Sequence, residues 1–238
     1  MTNTLLSLRS APDLVEQIYA RLLDAISEGT LVPGERLTQE DLAQRFAVSR
    51  QPVLQALRLL KKDGFVEDAP GRGVQVTQLD VDWIAQVYQV RGSLDALAVR
   101  LAAERAVVLD AALMQHGRQA EQTRDVQAMI LADLAFHRAI YQASGNRLIE
   151  QSIALHWHHL KRVMGAVLQS SHQRQTVWDE HEAIAQAIAA GDADLAVRLV
   201  QEHAHEASVQ LTARLVEQIH HRKTGAHHET DTRTTGTI

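Results

Sequence analysis

Three histidines and one aspartate are the side chains whose spacing points to chemistry. In Asp133-Leu134-Ala135-Phe136-His137 a carboxylate and an imidazole stand at i and i+4, one turn apart on a helix face. His181 sits in Asp179-Glu180-His181-Glu182-Ala183-Ile184, and His203 closes Leu199-Val200-Gln201-Glu202-His203. Three imidazoles and a carboxylate projecting into a helical bundle suit a borderline divalent cation such as Zn²⁺, Ni²⁺ or Mn²⁺. Spacing alone is weakly specific, because the chain holds 13 histidines. Glu180 and Glu182 flank His181 and are expected to point elsewhere on that helix. His205 lies about 200° round the helix from His203 and is expected to face away. His156 and His159 share a face that His158 does not, and all three are read as packing or solvated groups. Trp157 and Trp178 are read as core or dimer surface.

Ligands scattered over seventy positions meet only if the elements bearing them pack together. From Asp80 onward helical periods dominate, with no strand signal and no proline. The pattern predicts helices over 80–106, 109–123, 126–144, 147–170, 174–190 and 192–220. Asp125 and Asp192 are expected as N-caps, and Gly145-Asn146 and Gly191 as stops. Six antiparallel helices of this length make a bundle. Residues 222–238 are polar, without an apolar period, and are expected to be a disordered tail.

The N-terminal third has a different grammar. After about a dozen loose residues, Asp13 is expected to cap a helix carrying Leu14, Ile18, Leu22, Ala25 and Ile26 on one stripe. Thr38 is a plausible N-cap with Asp41 at the acid position of a capping box. Leu42, Ala43 and Phe46 form the apolar face of a short helix. The turn Ala47-Val48-Ser49 leads to a second helix over about 50–63, with Ser49 as its cap and Gly64 as its stop. Phe65-Val66-Glu67 and Val74-Gln75-Val76, joined by Pro70-Gly71-Arg72-Gly73, read as a hairpin. Two helices, a tight turn and a hairpin make a winged helix-turn-helix. The expected fold is therefore mainly α: residues 1–78 a winged helix-turn-helix, and 79–221 an all-helical metal-, effector- and dimer-forming domain.

This segment resembles the DNA-binding domain of the GntR family of bacterial transcription regulators. The resemblance rests on Pro33-Gly34, Leu37, Leu42-Ala43, Val48-Ser49-Arg50, Pro52-Val53, Ala56-Leu57, Leu60, Gly64, Gly71 and Gly73, and covers roughly residues 13–77. It implies that Ser49, Arg50 and Gln51, at the start of the recognition helix, read base edges of a double-stranded operator. Arg45 and Arg58 would touch phosphate, and Arg72 with Gly73 would meet the minor groove or the backbone. The family's commonest string has Arg then Glu after the Pro-Val pair; here Leu54 and Gln55 stand there, which changes the expected operator and not the fold. The second half resembles the FCD domain of the FadR-type branch through Asp133-xx-Phe136-His137, Ser144-Gly145-Asn146, Glu180-His181-Glu182-Ala183-Ile184 and Gly191-Asp192 with His203. That resemblance implies a divalent metal on Asp133, His137, His181 and His203, a small organic acid at its open positions, and Arg91 and Asn146 as effector contacts. Asp95 stands where the family often has Glu, four residues after that arginine.

Composition narrows the classes. The net charge of −5 excludes a uniformly basic nucleic-acid binder. Charge is local, however: Arg45, Arg50, Arg58, Lys61, Lys62 and Arg72 outnumber Asp63, Glu67 and Asp68 over 45–72. Cysteine is absent, which excludes disulfides and thiol catalysis. With no long apolar run and no signal-like start, a cytoplasmic protein without a membrane span is expected. The reading is a ligand-responsive, homodimeric regulator on a pseudo-palindromic operator, with repression of a catabolic operon as family precedent. A metal-dependent hydrolase, or a regulator with a purely structural metal, stands as the alternative.

Overall fold

The computed structural model describes residues 12–168 and 176–231, with residues 12, 13 and 222–231 given by backbone alone. The chain divides into two compact units, Met1–Gln78 and Leu79–Ile238.

In the first unit α1 (Pro12–Ser27) buries Ile18, Leu22, Leu23 and Ile26 against α3. Gly29 adopts a φ of 78° beyond its end. The order continues β1 (Arg36–Leu37), α2 (Gln39–Arg45), α3 (Arg50–Lys62), β2 (Val66–Asp68) and β3 (Val74–Val76). The Thr38 hydroxyl accepts from the Asp41 amide at 3.2 Å, so α2 is capped as its sequence predicts. Ser49 holds the N-cap position of α3, but its hydroxyl makes no capping bond. Val53, Ala56, Leu57 and Leu60 form the buried face of α3, over a core completed by Phe65, Val66 and Val76. Phe46, expected on the buried face of α2, is half-buried at its C-cap. The Tyr19 hydroxyl donates to Asp63 at 2.7 Å and ties α1 to the end of α3.

The hairpin pairs Val66 with Val76 and Asp68 with Val74. A third strand, absent from the sequence reading, joins its outer edge: β1 is antiparallel to β3, giving the order β1-β3-β2. Two residues are too short to show a period-2 pattern. The strand exists because the turn at Gly34 lets its amide donate to Val76 and lets the Val76 amide donate to Glu35.

The second unit contains α4 (Val81–Ala103), α5 (Ala111–Thr123), α6 (Val126–Ala143), α7 (Arg147–Leu168), α8 (Val177–Ala189) and α9 (Ala193–Asp231). Asp80, Asp110 and Asp125 cap α4, α5 and α6 through their side chains, and the Asp192 carboxylate accepts from the Leu195 amide. Gly145 and Gly191, at φ of 70° and 74°, end α6 and α8. Helix α4 runs through the middle, against α6, α7, α8 and most extensively α9. Phe136, Ile140, Ile149, Ile153, Leu160, Trp178, Ile184 and Leu215 fill the core. A Cβ on Gly117 of α5 would stand 2.0 Å from the Trp178 ring, so only glycine lets that indole lie flat between α5 and α8.

Helix α9 overlaps the first ten residues of the segment 222–238 expected as a disordered tail. The backbone of α9 stays helical to Asp231. Its apolar period is lost after residue 221, and no proline interrupts the hydrogen-bond ladder there. Residues 232–238, the loose N-terminal residues and the expected helix ends within 169–175 lie outside the described residues.

Candidate functional site

Three helices bring the four candidate ligands together. Asp133 and His137 project from α6, His181 from the first turns of α8 and His203 from α9; one ligand atom from each lies within 4.8 Å of all the others. His181 Nε2 is 3.4 Å from His203 Nε2 and 3.5 Å from Asp133 Oδ1, which is 3.9 Å from His137 Nε2. Ligands about 2.1 Å from one cation stand roughly 3.0–3.4 Å apart, so a small inward adjustment closes this set on a metal. All four side chains are buried. Phe136 stacks on the His181 ring at 4.0 Å and Trp178 meets its edge at 4.7 Å, which holds the imidazole from behind.

A buried polar layer surrounds the cluster. Arg91 and Asp95 of α4, 2% and 1% exposed, pair through Nε and Oδ2 at 3.2 Å. The Tyr141 hydroxyl donates to Asp95 Oδ1 at 2.6 Å. Arg91 Nη2 lies 2.6 Å from His137 Nε2, and its guanidinium rests over Trp157, 4.3 Å from the ring centre. A guanidinium can only donate, so His137 Nε2 is the accepting nitrogen and Nδ1 carries the hydrogen. That Nδ1 faces Asp95 Oδ2 at 3.6 Å. Burial first, then Arg91 and the other two imidazoles, hold His137 well below the ordinary histidine range and keep it neutral. Burial raises Asp133, opposed by Arg91 and His203. Two buried carboxylates here face the Arg91 guanidinium beside three imidazoles, and imidazole nitrogens with a carboxylate oxygen are a donor set that fits a divalent cation, with His137 exchanging its bond to Arg91 for the metal.

Beside the cluster lies a cavity of about 70 Å³. At one end it is lined by Tyr88, Arg91, Asp133 and His203, along its walls by Met164, Leu168, Val177 and Leu211, and further along α9 by Gln210 and Arg214. Asn146 is elsewhere. It lines an open groove with Leu101, Ser144 and Gln151, and its side-chain oxygen accepts from the Leu148 amide at the start of α7. The expectation of an effector contact gives way to that of a helix cap. His205 is exposed, as its angle predicted. His159 is buried edge-on to Trp83, whereas His156 and His158 are half-buried.

In the first unit Ser49, Arg50 and Gln51 are exposed at the start of α3, with Arg58 two turns further on and Arg45 at the end of α2. Arg50 Nη2 pairs with Glu40 at 2.8 Å and Arg45 with Asp41 at 3.7 Å, both at the surface. The hairpin tip carries Arg72, whose carbonyl accepts from the guanidinium of Arg36. Gly73, at a φ of 96°, would place a Cβ 2.7 Å from the Leu37 carbonyl, so its role is to let the wing fold back on β1.

Known proteins share both halves. Residues 14–76 match the bacterial regulatory proteins of the gntR family, and residues 86–206 match the FCD domain. The chain belongs to the GntR family and carries an FCD domain. It is 31% identical over 193 residues to an HTH-type transcriptional regulator of an unstable DNA locus in Streptomyces ambofaciens, covering 78% of this chain and 80% of the relative. It is 27% identical over 197 residues to the HTH-type transcriptional regulator YdhC of Bacillus subtilis, covering 79% and 86%. Among solved structures, E. coli McbR/YncC shares the fold with a TM-score of 0.71 at 23% identity, covering 84% of this chain and 98% of that one. Relatives and domains alike are transcription regulators, not enzymes. DNA binding and response to a small molecule follow for this GntR regulator at the family level.

The sequence reading missed several groups around this FCD cluster. Glu180, expected to point away, lies with Oε2 2.9 Å from His203 Nδ1. Adjacent residues on one helix do point apart, but α9 packs along the side of α8 that Glu180 presents. The Arg91–Asp95 pair at i and i+4 was a legible signal for the buried ion pair. Gln210 and Arg214, seven and eleven residues after His203, share its stripe on α9, a period that could have placed them at the cavity. Among the described residues, no helix is long and apolar enough to cross a membrane.

Proposed function

We propose that this GntR regulator is a cytoplasmic homodimer that represses a catabolic operon and releases its operator when a small organic acid binds at a divalent metal in the FCD unit. The metal rests on Asp133, His137, His181 and His203, and could be Zn²⁺, Ni²⁺ or Mn²⁺ by donor type. The observation that carries this reading is one cavity lined by Arg91 together with Asp133 and His203, two members of the convergent set of four. A bound cation would supply Lewis acidity for one carboxylate oxygen. Arg91 supplies donors for the other oxygen, and Met164, Leu168 and Leu211 select a compact apolar body.

In the reading head, Ser49, Arg50 and Gln51 contact bases, Arg45 and Arg58 contact phosphate, and Arg72 carries the wing contact. Two such heads related by a two-fold axis would read half-sites about 34 Å apart. Effector binding acts by favouring one of two arrangements of the dimer, and demands a differential affinity for them.

The test is fluorescence anisotropy on DNA upstream of the protein's own gene and its neighbours, at fixed salt, with a panel of small carboxylates. One class of acid should weaken operator binding by the metal-loaded protein and leave chelated protein unaffected. An equal response after chelation would sink the metal role, and no specific binding to any neighbouring promoter would sink the repressor reading.

A further inference from the structure

We propose that Glu180 is the positioning residue of the metal centre: its carboxylate fixes the tautomer and aim of His203, and so sets how tightly the four-residue set holds a divalent cation. The inference rests on the metal reading above.

Glu180 is held at both oxygens. Oε2 lies 2.9 Å from His203 Nδ1, and Oε1 accepts from the Thr176 hydroxyl at 3.0 Å. Its neighbours in the first turns of α8 are engaged elsewhere: Arg118 of α5 pairs with Asp179 at 2.9 Å and Glu182 at 2.6 Å. Asp179 and Glu182 thus meet Arg118 of α5 while Glu180 meets His203 of α9. A carboxylate oxygen accepts from Nδ1–H of His203, and in the neutral ring that a metal requires this leaves the lone pair on Nε2. That lone pair points to the side where His181 Nε2 lies 3.4 Å away. A carboxylate behind a ligating imidazole orients the ring and raises its basicity, and its loss typically weakens metal binding 10–100-fold.

The experiment is competitive Zn²⁺ titration of the full chain against a chelating dye, for wild type, Glu180→Ala and Glu180→Gln. Glu180→Ala should bind Zn²⁺ roughly 10–100-fold more weakly. Glu180→Gln keeps an acceptor for Nδ1–H and should recover most of that loss. Nitrogen-15 NMR of the His203 ring, in chelator, should show the Nδ1–H tautomer in wild type and Glu180→Gln and a mixture in Glu180→Ala. Wild-type Zn²⁺ affinity in Glu180→Ala would overturn the proposal, as would weakened binding with the His203 tautomer unchanged. A wild-type chain that takes up no Zn²⁺ would instead bring down the metal reading, and this inference with it.

Discussion

Replacing Arg91 by Met removes the one guanidinium facing the two buried carboxylates of the cluster. Asp95 is 1% exposed and would keep the Tyr141 hydroxyl at 2.6 Å and the more distant His137 Nδ1 at 3.6 Å, neither a fixed positive charge. Breaking a buried pair on one side costs about 3–5 kcal/mol, because the remaining charge is left uncompensated. His137 Nε2 loses its donor in the same step. The double variant Arg91→Met/Asp95→Asn shares that second loss and leaves Asp133 equally without the guanidinium, so the gap between single and double variants isolates the Asp95 charge. The double variant should recover most of the 3–5 kcal/mol. All three tryptophans, Trp83, Trp157 and Trp178, lie in the second unit, so urea unfolding followed by their fluorescence reports this unit alone. Chelator in every sample keeps metal binding out of the comparison. Burial already raises the Asp95 carboxyl in the wild type, opposed by Arg91 and Tyr141. Without Arg91 it rises further, and a carboxyl with a raised folded pKa binds its proton more readily folded than unfolded. The destabilisation relative to wild type should therefore be small below the unfolded value of about 3.9 and grow as pH rises through the folded value. Equal losses in single and double variants, or a loss independent of pH, would refute the buried-charge reasoning.

Gly117→Ala should destabilise the second unit by about 1–3 kcal/mol through its clash with Trp178, read by the same fluorescence assay; an unchanged midpoint would contradict the packing described. Arg50→Ala should leave stability within about 0.5 kcal/mol, since its pair with Glu40 is exposed, yet lower operator affinity by about 1–3 kcal/mol in anisotropy at fixed salt. Gly73→Ala should distort the wing against Leu37 and weaken operator binding, while the tryptophan-reported unfolding of the second unit stays as in wild type.

The convergence of Asp133, His137, His181 and His203 was legible because each sits on a strongly periodic helix, and a bundle turns such stripes inward. The winged helix was legible because Thr38, Gly64 and the wing glycines punctuate it at fixed offsets. What escaped depended on how elements pack. The direction of Glu180 follows from α9 lying along the side of α8, not from its place beside His181. Strand β1 is a product of the Gly34 turn and has no pattern of its own. Asn146 offered two roles in sequence, and only its hydrogen bond to Leu148 separates a helix cap from a cavity wall. Helix α9 runs to Asp231, past its apolar period, over a stretch with no proline to break it.

The most direct test of the central claim is the metal content of the purified chain after loading with Zn²⁺ and desalting. One equivalent per chain in the wild type and essentially none in His137→Ala/His203→Ala would agree with a single cation closed on by α6, α8 and α9. A full equivalent retained by the double variant would contradict it.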